Sequence, residues 1–319
     1  MNPKFLDFIQ KYKDTPVALA ISGGVDSVAL MNWYAASGLA AVILHVNHKL
    51  RPESEIEAEY VKSAAKNLGM KCEILEWTGK KPKTGIEAAA RNARYELMIN
   101  WCRKNNVSVL MTAHQADDQI ETFLMNLGRG SGVYGLAGIR SESERNGIII
   151  ARPLLNVFRT ELENWCDLNK IKYFKDSMNE DENFTRVKIR KNRHVLKSKL
   201  GISDDRILLA TENLSRARDA LEQIVNHQLS NVKFDGKRAF FSATTLFSLP
   251  DELQLKFIGE LIKIVSGAEY SPRLNEIERL QDKLSNDTIS TLSNCIIRRF
   301  GDKILIAPIG ESTSFRNKK

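Results

Sequence analysis

Cysteine is scarce in this chain of 319 residues. The four present, Cys72, Cys102, Cys166 and Cys295, are widely separated, with no CxxC and no His partner at metal-ligand spacing. That pattern argues against a disulfide scaffold, a zinc ribbon and an iron–sulfur site, and leaves four buried thiols as the expectation. Proline (8) and glycine (18) are too few for a collagen-like or low-complexity chain. Long apolar runs are lacking too: Ala40–Leu44 and Ile148–Ala151 fall far short of the roughly 20 residues that span a bilayer. The N-terminal stretch MNPKFLDFIQKYKD has no apolar signal core, so a cytoplasmic protein with no membrane partner is expected.

What is present is an ordinary globular balance, 43% hydrophobic and 27% charged, at a length that suggests two domains. The net charge of +8 is unevenly placed, for residues 151–200 hold 12 basic against 7 acidic residues. Within that stretch Arg186, Lys188, Arg190, Lys191, Arg193, Lys197 and Lys199 follow one another with no acidic residue between. A basic stripe of this kind suits a nucleic-acid backbone, although most basic runs are simply solvated faces.

The first 150 residues alternate apolar runs with helical patterns. Val17–Ile21, Ala41–Val46, Cys72–Trp77 and Val107–Ala113 read as strands buried on both faces. Asp26–Ser37, Glu53–Leu68, Ile86–Lys104 and Asp117–Leu127 read as the intervening helices, and Ile148–Ala151 as one further strand. The expected fold is therefore α/β, a doubly wound parallel sheet with right-handed crossovers. A basic helical extension over about 158–200 completes a first domain, 1–200. Gly201 to Asp204 then marks a break, with Gly ending one helix and Ser or Asp capping the next. A smaller α+β domain is expected over 204–319: a long helix, a strand pair near 232–242, two helices, and strands near 290–308.

The sharpest local signal is Ser22-Gly23-Gly24-Val25-Asp26-Ser27, directly after one expected strand and opening the next helix. A helix N-terminus offers unpaired N–H groups and partial positive charge to an anion. Gly23 and Gly24 allow close backbone approach, Ser22 and Ser27 add hydroxyls, and Asp26 is placed to hold Mg²⁺ against phosphates. No Lys lies in this loop, so it is not a Walker-type loop. Gly130–Gly135 (GSGVYG) matches the spacing of a dinucleotide fingerprint, but it follows a helix instead of a strand and is rejected.

Two further constellations end the later strands. His45-Val46-Asn47-His48-Lys49-Leu50-Arg51 follows the second strand, and His114 to Thr122, with Asp117, Asp118 and Glu121, follows the fourth. Ligands of open parallel sheets bind beyond the carboxyl ends of the strands, so both belong near the phosphate loop. Asp118 and Glu121, three apart, share one helix face and make an acidic edge. N-capping accounts for one aspartate but not for the rest of the set. Arg129 offers a guanidinium in the following Gly-rich loop, while Glu87, Arg91 and Arg94 repeat at helical spacing, equally consistent with a salt-bridged surface.

Taken in order, SGGVDS, HVNHKLR, EAAARNARY, AHQADDQIETFLMNLGRGSGVYGLAG, RPLL and DSMNEDENFTRVKIR resemble the tRNA(Ile)-lysidine synthetase family, over about residues 17–200. A weaker echo lies at Thr291–Pro308, and SGGVDS alone marks only the wider pyrophosphatase-loop superfamily. The resemblance implies an adenine-nucleotide α-hydrolase-like fold and a C-terminal tRNA-recognition domain. It implies an ATP-dependent ligase that adenylates C2 of the wobble cytidine of tRNA(Ile) with a CAU anticodon and joins L-lysine to it, releasing AMP and pyrophosphate. By position, Ser22, Gly23, Gly24, Val25, Asp26, Ser27, His48 and Arg129 are then the ATP-binding candidates, with Asp26 on Mg²⁺. Asp118, Glu121 and Arg94 are the lysine-binding candidates, and Asp26, Asp118 and Glu121 the catalytic ones. Arg186, Lys188, Arg190, Lys191 and Arg193 are the tRNA-contact candidates, and a homodimer is left open. The chain is shorter at its C-terminus than the larger family members, so a further terminal tRNA-binding module is not expected. A tRNA thiolase is the nearest rival, and it lacks paired cysteines here; a non-catalytic tRNA or nucleotide binder would sit poorly with an intact phosphate loop.

Overall fold

A computed structural model describes residues 2–49, 53–79, 82, 84–174 and 185–310. The chain divides into two compact units, 1–215 and 216–319. The first unit runs α1 (Pro3–Gln10), β1 (Val17–Ala20), α2 (Val25–Ala36), β2 (Val42–Asn47), α3 (Glu53–Asn67), β3 (Lys71–Glu76), α4 (Ile86–Lys104) and β4 (Val109–Met111). It continues with α5 (Ala116–Leu127), α6 (Val133–Leu136), β5 (Glu142–Arg145), β6 (Ile148–Ala151), α7 (Arg159–Leu168) and α8 (Thr185–Leu200). The long helix α9 (Asp204–Leu229) crosses from the first unit into the second.

The sheet order is β3-β2-β1-β4-β6-β5, parallel except for the antiparallel edge strand β5. Alternation along each strand builds two cores. Val17, Leu19, Ile43, Val109 and Met111 face a cluster with Phe5, Trp33, Tyr34 and Leu162. Ala18, Leu44, Leu110 and Ile150 face the opposite cluster with Tyr95, Met98 and Ile99 of α4. Both faces are covered by helices, which is why these strands read as continuous apolar runs. Strand order reverses between β1 and β4, so the segments leaving their carboxyl ends diverge and open a crevice there.

The second unit holds an antiparallel sheet, β7-β8-β11-β10-β9, with β7 (Lys233–Asp235), β8 (Arg238–Ser242), β9 (Ile289–Leu292), β10 (Cys295–Phe300) and β11 (Lys303–Pro308). Short α10 (Ala243–Phe247) precedes α11 (Asp251–Ser266) and α12 (Leu274–Leu284), whose Phe257, Leu261 and Leu280 form the core with Ile297, Ile304 and Ile306. Ser293 and Asn294, at φ 47° and 59°, make the two-residue turn between β9 and β10.

Several elements depart from the sequence reading. The helices α1, α6 and α10 and the polar edge strand β5 are additional. Gly201 does take a positive φ of 69° in the break between α8 and α9. Of the four expected buried thiols, Cys72 is only half-buried, while Cys102, Cys166 and Cys295 are buried. Leu50, Arg51 and residues 176–184 of the DSMNEDENF run lie outside the described residues, as does the side chain of Glu87.

Candidate active site

A cleft of about 410 Å³ opens at the carboxyl ends of β1, β2 and β4. Ser22, Gly24, Val25, Asp26 and Ser27 line it together with His45, His48, Arg94, Tyr95, His114, Asp118 and Arg159. The sheet reversal is what brings segments about ninety residues apart in sequence to one cavity.

The glycine-rich loop is braced by its own last serine. Ser27 Oγ accepts the N–H groups of Ser22 and Gly23, each at 3.2 Å, and donates to the Gly24 carbonyl at 2.9 Å. Gly23 stands at φ +96°, which disfavours any side chain, and a Cβ there would press on the Phe174 ring at 3.4 Å. The Phe174 N–H donates to the Gly23 carbonyl at 3.0 Å, so the 171–174 segment lies across the loop. Gly24 caps α2 with no side-chain partner for the first N–H groups, which leaves that helix end available to an anion. Buried His45 donates Nδ1–H to the Ile21 carbonyl at 2.9 Å and steadies the end of β1. Burial holds His45 below the usual imidazole range.

Asp26 sits in the first turn of α2. One carboxylate oxygen, Oδ2, is 3.9 Å from Arg159 Nη1; the other is buried with no hydrogen-bond partner among the described residues. Burial pushes its pKa up to about 6, opposed by Arg159. An orphaned, desolvated carboxylate oxygen beside a phosphate-type loop suits one Mg²⁺ completed by phosphate oxygens and water.

The acidic edge is divided. Asp118 lines the cleft, while its Oδ2 also accepts the Gln115 N–H at 3.0 Å in a capping box at the start of α5. Glu121 is wholly buried and is not a cleft-lining residue; its Oε1 accepts Arg190 Nε at 2.8 Å. Burial raises the pKa of both carboxyls. Asp117 neither caps its own helix nor lines the cleft: its Oδ2 accepts the Arg159 N–H at the start of α7 at 2.9 Å, and its Oδ1 pairs with Arg193.

The basic stripe is divided in the same way. α8 packs on α5 and turns Arg186, Arg190 and Arg193 onto Asp118, Glu121 and Asp117 respectively. Lys188 and Lys191 are exposed on the remaining surface of α8, as are Lys197 and Lys199. Arg129 is exposed beyond the far end of α5, about 16 Å from Asp118 at 1.5 Å per residue, and does not line the cleft.

Arginines collect around Tyr95. Arg91, Arg94 and Arg145 approach the Tyr95 ring at 5.3, 5.9 and 5.6 Å. His114, hydrogen-bonded to Thr112 Oγ1 at 2.9 Å, is held at a pKa of about 3 by burial and then by Arg152, Arg91, Arg94 and Arg186. It is therefore neutral at physiological pH and unsuited to carry a proton there. Arg159, which lines the cleft, was missed in the sequence as a site residue. Arg159 carried one signal, because an arginine in the first turn of a helix opposes the dipole unless an anion faces it.

The reversed sheet order, the lysine-free glycine–serine loop on an open helix end and Asp26 in the first turn of that helix define an ATP-binding domain of the pyrophosphatase-loop class. A family profile described as a PP-loop domain matches residues 1–197. A tRNA(Ile)-lysidine synthase of Wolbachia pipientis wMel is 39% identical over 316 residues, covering 92% of this chain and 71% of that protein. Another from Rhodopseudomonas palustris is 35% identical, covering 92% and 90%. The chain belongs to the tRNA(Ile)-lysidine synthase family. A U34-tRNA thiolase from Methanococcus maripaludis, with a [4Fe-4S] cluster, shares the fold alone, at TM-score 0.54 and 14% identity over 68% of this chain and 77% of that one.

Proposed function

We propose that this chain is an ATP-dependent ligase that adenylates the wobble cytidine of tRNA(Ile) with a CAU anticodon and then joins L-lysine to its C2. The observation that carries the reading is the shared cleft, lined both by the phosphate loop and by Asp118. The C2 oxygen of cytosine is a poor leaving group; as part of AMP it departs readily. The open end of α2 and the Ser22–Ser27 loop grip the pyrophosphate end of ATP. Mg²⁺, when bound at Asp26, neutralises phosphate charge during the adenylation.

The second step needs an unprotonated amine, and a free lysine side chain has a pKa of about 10.4. Asp118 orients the ammonium and accepts its proton, a role suited to a carboxyl that burial raises above its ordinary value. Glu121, on the same helix as Asp118, is held by Arg190, and Arg94 lines the same cleft. The wobble base leaves its anticodon stack to enter. Lys188 and Lys191, joined by the outer atoms of Arg186, Arg190 and Arg193, hold the anticodon-stem phosphates. The second unit recognises the rest of the tRNA. Among the described residues no helix is long and apolar enough to cross a membrane, in keeping with work on tRNA in the cytoplasm. Sulfur transfer is not favoured, since none of the four cysteines lines the cleft.

The test is incubation of the full chain with ATP, labelled lysine, and either tRNA(Ile) or the initiator methionine tRNA. Label and AMP are expected only with tRNA(Ile). With Asp118→Asn, adenylated tRNA is expected to accumulate without lysine transfer; unchanged lysine dependence in that variant contradicts the assignment.

A further inference from the structure

The loop that grips the pyrophosphate has no cation of its own. ATP-dependent adenylation breaks the bond between the α-phosphorus and the bridging oxygen as the cytosine oxygen attacks. The electron pair leaves with the β-phosphate, so negative charge grows on the departing pyrophosphate and needs a donor placed there beforehand. Among the described cleft-lining residues the guanidinium groups are those of Arg94 and Arg159. Arg94 lies against the Tyr95 ring and acts on His114, whereas Arg159 sits beside Asp26 in the phosphate loop.

We propose that Arg159 is a further substrate-contacting residue, whose guanidinium meets the β- and γ-phosphates of ATP and stays on the pyrophosphate as it departs. The inference rests on the ligase reading above and adds a group to its first step. One backbone contact and two side-chain contacts place Arg159. The Arg159 N–H donates to Asp117 at 2.9 Å, which satisfies an otherwise orphaned donor at the start of α7. Nε donates to Glu163 Oε1 at 2.9 Å, one turn along the same helix. Nη1 points at Asp26 Oδ2 from 3.9 Å, too far for a good hydrogen bond, and Nη2 has no protein partner among the described residues. The fork is thus oriented by its base while its tip remains uncommitted in the cleft. Asp26 would hold Mg²⁺ and Arg159, beside it, would remain available to the same phosphates.

The experiment is direct binding, measured by calorimetry on the full chain without tRNA, with three probes: Mg-ATP, magnesium pyrophosphate and AMP. Arg159→Ala is expected to weaken ATP and pyrophosphate at least tenfold, since charge-assisted bonds to phosphate are strong, and to leave AMP within twofold of wild type. Arg159→Lys keeps the charge and loses the fork; it is expected to fall between, and it serves where the alanine variant does not fold. Pyrophosphate affinity within twofold of wild type in either variant overturns the proposal. So does an equal loss for AMP, which signals a general disturbance of the cleft. Failure of the wild-type chain to bind ATP or pyrophosphate at all removes the ligase reading itself, a result separable from the other two.

Discussion

Replacing Arg190 with alanine is the sharpest test of how the acidic wall is built. Glu121 has no exposed surface, takes one hydrogen bond from Arg190 Nε at 2.8 Å, and leaves its second oxygen without a partner among the described residues. Removing one member of a buried pair costs about 3–5 kcal/mol, because the surviving charge is left desolvated. Arg190 is itself 33% exposed, and water entering the vacated space offsets part of that, so the expected loss is about 2–3 kcal/mol. With a urea dependence of about 2 kcal/mol per molar, the midpoint falls by about 1–1.5 M. All four tryptophans, Trp33, Trp77, Trp101 and Trp165, lie in the first unit, so their fluorescence follows its unfolding alone. The pH dependence gives the decisive sign. Burial already raises the Glu121 pKa above its unfolded value, and loss of Arg190 raises it further. The folded variant therefore holds a proton that the unfolded chain releases, and its stability falls as pH rises above about 4.5. The deficit against wild type should be largest at pH 8 and shrink toward pH 5. The double variant Glu121→Gln/Arg190→Met should recover most of it. A deficit equal at both pH values, or no recovery in the double variant, refutes the buried-pair account.

Asp26→Asn is expected to abolish product formation yet stabilise the metal-free protein. The Asp26 pKa is pushed up to about 6, so its charge is costly once pH exceeds the unfolded value near 4. Melting curves in chelator should show the gain growing from pH 5 to pH 8, and a less stable variant at pH 8 contradicts it. His114, held near 3, should show no imidazole titration between pH 5 and 8 by NMR; a midpoint near 6.5 refutes its burial among arginines. Its depressed value also means that stability declines as pH drops below about 6.5, where only the unfolded imidazole takes a proton. Lys188→Ala/Lys191→Ala should weaken tRNA binding for every sequence and reduce the log–log salt slope by about 1–2, with an unaltered slope restoring a merely solvated surface.

The parallel strands were legible because burial on both faces leaves a nearly continuous apolar run, as in Val17–Ile21 and Val107–Ala113. The same rule explains what was missed. Edge strand β5 is Glu-Ser-Glu-Arg, pairs on one side only, and carries no apolar signal. Helix α10 has five residues, too few for a period of 3.6 to show, and is fixed by Ser242 and Asp302 accepting its first N–H groups. The phosphate loop and Asp118 were legible for a different reason, since each acts from a helix start directly after a strand, where local sequence sets the geometry.

Arg159 and the inward arginines of α8 are long-range features. Arg159 meets Asp117 across 42 residues, Arg190 meets Glu121 across 69, and Arg193 meets Asp117 across 76. Nothing near them in sequence names those partners. Spacing nevertheless held part of the answer: Arg186, Arg190 and Arg193 recur at four and three residues and so share one helix face. Lys188 and Lys191 fall off that face. On α5, Asp117 and Asp118 in the first turn and Glu121 in the second likewise meet these arginines. A single-sign stripe on one helix and an opposite stripe on another are complementary, and desolvating either without the other is costly. Net charge alone therefore counts the three arginines as tRNA contacts, whereas periodicity separates them from the lysines that face solvent. The same separation predicts unequal consequences for the two groups. Lysine substitutions should touch RNA affinity and its salt dependence, while arginine substitutions should also loosen α8 from the acidic wall of the cleft.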